Sequence, residues 1–162
     1  MEHSISTEVN SAENAVAFPP VDIVVVAHNP DEWFGDVLNS FAIQDYPDFN
    51  VVVLTTGEES TMRNFVFESL PEAEVITVDS EHGYGRNLNS VLDLERSSAY
   101  FLFCHHDVAL APDALRLMVE ESLRSNAGIV GPKIVNWDRP DELLDIGFSI
   151  DKLGFLIPRI EL

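Results

Sequence analysis

Ala99-Tyr100-Phe101-Leu102-Phe103-Cys104-His105-His106-Asp107 runs an apolar stretch straight into two imidazoles and a carboxylate. An unbroken apolar run of this length reads as a strand covered on both faces, the pattern of a parallel sheet flanked by helices. Open α/β sheets bind their ligands outside the carboxyl ends of the strands, so the His-His-Asp end is where chemistry is expected. Side chains alternate across a strand, and an extended backbone through Asp107 would put His105 and Asp107 on one side and His106 on the other.

Working outward, the chain repeats one rhythm. Val21–Ala27 is a β-branched strand that stops at the turn His28-Asn29-Pro30. Asp31–Gln44 reads as a helix, with Trp33, Phe34, Val37, Leu38, Phe41 and Ala42 on one face and Glu32, Asp36 and Asn39 outward. Strand Asn50–Leu54, helix Thr61–Leu70, strand Glu74–Val78 and helix Arg86–Glu95 follow, then the opening strand and helix Pro112–Arg124 with proline in its first turn. Gly128–Val130 begins a fifth strand. Alternation of this kind predicts an α/β fold with a doubly wound, mostly parallel sheet flanked by helices. Leu144–Ile150 and Leu153–Ile157, separated by Asp151-Lys152, predict a C-terminal hairpin added to the sheet. Residues 1–20 are polar and aperiodic and predict a disordered tail; 21–162 form one domain.

The 162 residues carry 9 basic and 28 acidic side chains, a net charge of −19. Such a field repels nucleic acid and anionic membrane surfaces, so nucleic-acid binding is excluded as a function class. An anionic small ligand would need a metal ion, a helix amino terminus or a local arginine. Cys104 is the single cysteine, so no internal disulfide forms, and at the end of an apolar strand it reads as a small buried hydrophobe. No apolar stretch approaches the roughly 20 residues of a membrane span. Residues 1–17 lack the pattern of a signal peptide, which predicts a cytoplasmic chain.

Three groups of residues are candidates for chemistry. Asp107, with His105, is suited to a divalent cation completed by ligand phosphates and water: carboxylate oxygen fits Mg²⁺, and imidazole fits Mn²⁺ better. The competing assignment is a capped strand end with Asp107 bonding the turn backbone. Gly83-Tyr84-Gly85-Arg86-Asn87-Leu88-Asn89 joins a strand end to a helix start, where amides, the helix dipole and Arg86 meet a phosphate, or where glycines make a tight turn. His28-Asn29 and Thr55-Thr56 lie at the other strand ends and suit either a base-and-ribose pocket or ordinary turn chemistry. A Gly-x-Ser-x-Gly elbow is absent, as are a P-loop lysine and the full dinucleotide fingerprint.

In this order the motifs resemble family 2 glycosyltransferases of the GT-A fold over Val21 to Phe155. Val26-Ala27-His28-Asn29 is similar to the family's first-strand turn, and Ser40-Phe41-Ala42-Ile43-Gln44-Asp45-Tyr46-Pro47 to its Ser-x-x-x-Gln-x-Tyr-Pro stretch. Arg86-Asn87 matches the Arg-Asn pair that follows the third strand, and His105-His106-Asp107 stands where the family carries Asp-x-Asp. The resemblance implies transfer of a sugar from a nucleoside diphosphate sugar to a glycan or lipid-linked acceptor, with inversion and with Mg²⁺ or Mn²⁺ on the diphosphate. It gives Asp107 the metal role, with His105 in place of the first acid. It places His28, Asn29, Thr55, Thr56, Arg86, Asn87 and His105 around the donor, with Thr55 and Thr56 in place of the usual acidic pair. Gly131-Pro132-Lys133 and Asp145–Asp151 resemble a bacterial subset that acts on cell-surface glycans, at the inner membrane face through downstream segments. Family members carry a general base in an acceptor-binding half that would follow Leu162, so the chain is expected to be the donor half of such an enzyme. The alternative expectation is a nucleotide-sugar binding module without turnover.

Overall fold

The computed structural model describes residues 18–29 and 31–159. The tail expected over residues 1–20 lies outside these for 1–17. Phe18–Pro20 are placed against the domain, with the Tyr46 hydroxyl donating to the Pro19 carbonyl at 2.6 Å. The elements in order are β1 (Val21–Ala27), α1 (Glu32–Ala42), β2 (Phe49–Thr55), α2 (Glu59–Ser69), β3 (Glu74–Thr77), α3 (Tyr84–Leu92), β4 (Tyr100–His105) and α4 (Ala114–Ser125). Four short strands follow: β5 (Ile134–Val135), β6 (Leu143–Asp145), β7 (Phe148–Ile150) and β8 (Leu156–Pro158).

β1 to β4 form one parallel sheet in the order β3-β2-β1-β4. Val21, Ile23, Val25 and Ala27 alternate onto one face, where they pack with Phe34, Leu38 and Phe41 of α1, Met62 and Val66 of α2, and Leu115 and Val119 of α4. Val24 faces the other way, with Val52 and Leu54 of β2, beneath Leu88 and Val91 of α3. This period of two in β1, met by helices on both faces, makes the sheet doubly wound. Each side chain as fully buried as Phe34 or Phe41 contributes roughly 1.5–3 kcal/mol.

The amino ends of the strands are tied by charge. Asp22 of β1 is 1% exposed, and its carboxylate accepts from Arg96 and from the Asn50 amide of β2 (3.2 Å). Arg96 also donates twice to Glu74 of β3, at 2.9 and 3.0 Å. A buried charge needs such partners, because desolvation would otherwise cost several kcal/mol.

Four expectations change. β4 is an edge strand among the described residues and its cover is partial: Tyr100 and Leu102 pack on one face and Phe101 on the other, but Phe103 is 43% exposed and only Cys104 is buried. Its apolar run arises from packing on α3 and α4, with Phe101 and Phe103 stacked on each other at 6.1 Å. Gly128–Val130 is not a strand; it runs beside α4 without a ladder, and Ile134–Val135 pairs instead with β6. The C-terminal hairpin exists as β7–β8, but it is a separate two-stranded sheet. On α1, Trp33 and Ala42 are exposed while Ser40 is buried, because Ser40 faces the segment that follows β4.

Candidate functional site

The sheet grows from β1 to β2 and β3 in one direction and then returns to place β4 on the other side of β1. The carboxyl ends of β1 and β4 therefore flank the topological switch point, the place where open α/β sheets bind their ligands. Val26 of β1 is in register with His105 of β4, so the loops carrying His28, Asn29 and Asp31 stand beside His106 and Asp107. His106 Nε2 lies 3.7 Å from Asp31 Oδ2. Asp31 itself caps α1, accepting from the Phe34 amide at 2.9 Å.

His105 and Asp107 meet: Nδ1 of the ring is 2.6 Å from Oδ1 of the carboxylate. The backbone achieves this with a turn, closed by the Val108 amide on the His105 carbonyl at 3.2 Å, rather than by extension through residue 107. In consequence His106 does not point wholly away; its ring packs on that of His105, with centroids 4.6 Å apart. A carboxylate only accepts, so Nδ1 carries the proton and a neutral His105 ring keeps a lone pair on Nε2. Burial pushes the Asp107 carboxyl up, but the hydrogen bond and charge of His105 outweigh it and hold the group below the usual carboxylate range. Tyr84, at the start of α3, lies against His105 with ring centroids 5.6 Å apart, and its hydroxyl donates to the Cys104 carbonyl at 3.1 Å. Burial, with the Asp107 charge, pushes the Cys104 thiol up to about 12, so it is no nucleophile.

The contact of Tyr84 with His105 brings the amino end of α3 to the same place. The Gly83 carbonyl accepts from the Arg86 and Asn87 amides at 3.0 and 3.2 Å, starting the helix. Neither Gly83 nor Gly85 has a positive φ, and a Cβ on either would meet nothing within 4 Å. Glycine is thus not needed there to make the turn. Arg86 is exposed and forms no ion pair among the described residues. Asn87 is 3% exposed, and its amide donates to the carbonyls of Asp79 and His82, so it holds the preceding loop on the helix rather than facing solvent.

On the β2 side, His28 Nδ1 is 2.5 Å from the Thr56 hydroxyl. Thr55 is fully buried, and its hydroxyl accepts from the Gly57 amide at 3.1 Å. A Cβ on Gly57 would collide with the His28 carbonyl oxygen, so glycine lets the two loops touch. Of the donor-contact candidates, His28, Asn29, Thr56, Arg86, His105 and Asp107 are therefore surface groups, whereas Thr55 and Asn87 shape loops.

Sequence reading missed how the segment after Asp107 is held. The Leu110 amide donates to the buried Ser40 hydroxyl at 3.0 Å. The Gln44 amide nitrogen donates to the Ala111 carbonyl and its oxygen accepts from the Leu115 amide, at 2.9 and 3.0 Å. Asp45 adds an ion pair to Arg116 at 2.9 Å. The Ser40–Pro47 stretch thus works as a clamp on the chain that carries Asp107 into α4. The motif was visible; its partner 70 residues away was not.

Among the described residues no three His, Cys, Asp or Glu side chains gather as a metal cage. His105 and Asp107 set one imidazole and one carboxylate side by side, and a cation held by both would take the place of the Nδ1 proton that now joins them. That donor set fits a cation whose other ligands are phosphate and water, and the nitrogen favours Mn²⁺ over Mg²⁺.

Residues 19–153 match the family described as "Glycosyltransferase like family 2". The chain is 25% identical over 114 residues to the teichoic acid poly(glycerol phosphate) polymerase of Staphylococcus epidermidis, an alignment covering 68% of this chain and 16% of that protein. Among solved structures it is similar to S. aureus TarS 1-349, also seen in complex with UDP, at TM-score 0.56 and 20% identity, covering 72% of this chain and 38% of that one. It is also similar to the mannosyltransferase PcManGT from Pyrobaculum calidifontis in complex with GDP-Man and Mn²⁺, at TM-score 0.58 and 22% identity, covering 75% and 37%. The likeness to these structures is one of fold, and the chain spans well under half the length of each relative. With a GT-A-like α/β fold and a family match over most of its length, the chain belongs to glycosyltransferase family 2.

Proposed function

We propose that residues 21–159 bind a nucleoside diphosphate sugar at the switch point between β1 and β4 and form the donor side of an inverting sugar transfer to a glycan or lipid-linked acceptor. The reading is carried by one observation: the His105–Asp107 pair stands at that switch point with Tyr84, the first residue of α3, against it. Two relatives of this fold are described with UDP, or with GDP-Man and Mn²⁺, which supports a nucleotide donor and a divalent ion here.

Each group then has a task. His28, Asn29 and Thr56 line the loops nearest the base and ribose. Arg86, which has no acidic partner among the described residues, and the α3 amides receive phosphate oxygens, an interaction the chain's charge of −19 would otherwise oppose. The open space at Gly83 and Gly85 lets the diphosphate approach the backbone. His105 and Asp107 would hold the cation, which when bound supplies Lewis-acid neutralisation of the leaving diphosphate. An acceptor hydroxyl attacks the anomeric carbon from the face opposite the diphosphate; the C–O bond to phosphate breaks, and the hydroxyl proton passes to a base.

The test is calorimetric titration of the chain with UDP and GDP, each with and without Mn²⁺. Binding of one nucleotide that tightens with Mn²⁺ is expected. Failure of both nucleotides under both conditions overturns the reading.

A further inference from the structure

A second cleft of about 600 Å³ opens from Asp107 and runs between α4 and the β5–β6 ladder. Its floor is aliphatic, with Leu117 and Met118 of α4 facing Leu144 of β6, and Trp137 stands in its wall. Trp137 is 42% exposed and is met edge-on by Trp33 of α1, with centroids 5.9 Å apart. The indole is thus fixed in position yet open on the cleft side. The rim is polar, with Asp107 at the donor end and Asp113, Glu121 and Lys133 around it.

We propose that this cleft receives the acceptor, and that the acceptor end seated there is an uncharged carbohydrate stacked on Trp137. The inference rests on the sugar-transfer reading and gives that reading its acceptor chemistry. A pyranose has an apolar C–H face that suits an aromatic ring and hydroxyls that donate to carboxylates, the two kinds of group this cleft combines. Glu121 is paired with Arg124 at 2.8 Å and Asp113 lies 3.9 Å from Arg116, so it is the field of the whole chain, net −19, that disfavours a phosphate-bearing acceptor. An apolar cleft with a few convergent polar groups and this volume is the size and kind that holds a small ligand. Asp107 stands on both the donor site and this cleft, so a hydroxyl at that end would be presented to the anomeric carbon.

Saturation-transfer NMR on the chain, without nucleotide, tests this using the methyl glycosides of glucose, galactose, mannose, rhamnose and N-acetylglucosamine. Glucose 6-phosphate and 1-hexanol serve as the anionic and purely apolar controls. At least one neutral glycoside is expected to receive saturation on its ring protons, with glucose 6-phosphate receiving less. Trp137→Leu, which keeps an apolar side chain without the ring, is expected to weaken that binding about fivefold, and Trp137→Phe to stay within about twofold. Circular dichroism of both variants establishes that they fold. Response from 1-hexanol alone, response from no glycoside, or an unchanged response in folded Trp137→Leu overturns the inference. If UDP or GDP still binds in those cases, the donor reading stands by itself; if nothing binds, both fall.

Discussion

His105 Nδ1 lies 2.6 Å from Asp107 Oδ1 across the turn that ends β4. A cation taken up between them would meet one nitrogen and one oxygen, a donor set that differs from two carboxylates. Imidazole raises affinity for Mn²⁺ relative to Mg²⁺, which prefers oxygen. His105→Ala is therefore expected to lower the Mn²⁺-supported affinity for nucleotide about fivefold and to leave the Mg²⁺-supported value nearly unchanged. Titrations with each metal check this, and equal losses would show that His105 does not discriminate between them.

Arg86 carries a charge with no acidic partner among the described residues, in a chain where most arginines are paired. A charge-assisted bond to phosphate is worth about 1.5–3 kcal/mol, so Arg86→Gln is expected to raise the nucleotide Kd roughly tenfold or more. The wild-type affinity should also fall with salt more steeply than that of the variant. Parallel salt dependences would remove Arg86 from the phosphate site.

Ser40→Ala removes the acceptor of the buried Leu110 amide, and with it the clamp on the segment after Asp107. An unsatisfied buried amide costs about 1–3 kcal/mol, read as a lower urea midpoint at unchanged m. The same variant should weaken Mn²⁺-linked nucleotide binding, because the turn holding Asp107 loses its anchor. Exposed Thr61→Ala provides the control that moves neither.

Asp22 is held ionised. Burial pushes its carboxyl up, but hydrogen bonds from Arg96, Ser98 and Asn50 together bring it below its ordinary value. A depressed folded-state pKa contributes stability that is fully present above about pH 4 and is lost as pH falls through the folded value. Asp22→Asn should thus unfold at lower urea at pH 7, by about 2 kcal/mol, with the gap to wild type closing in strong acid. A gap independent of pH would contradict the charged pairing.

The architecture was largely legible because period and punctuation agree. The alternation of Val21 to Ala27, and the helical spacing of Phe34, Val37, Leu38 and Phe41, fix which faces are buried whatever the neighbours. β4 misled because an apolar run does not say how completely its two faces are covered, and its outer edge pairs with no strand among the described residues. The site was legible as a set of strand ends and not as contacts. Nothing local to Thr55 or Asn87 says that each turns inward onto a loop. Nor does the sequence near Gln44 reveal its bonds to Ala111 and Leu115. The role of Trp137 follows only from its placement against Trp33 at the end of a cleft.

In the proposed site Asp107 couples a divalent cation to the nucleotide diphosphate. Calorimetric titration of wild type and Asp107→Ala, with UDP or GDP and with and without Mn²⁺, reads that coupling directly. In the wild type Mn²⁺ is expected to tighten nucleotide binding roughly tenfold, and in the variant by less than about twofold, with metal-free affinity preserved. A folded Asp107→Ala that keeps the full Mn²⁺-linked gain would contradict the account.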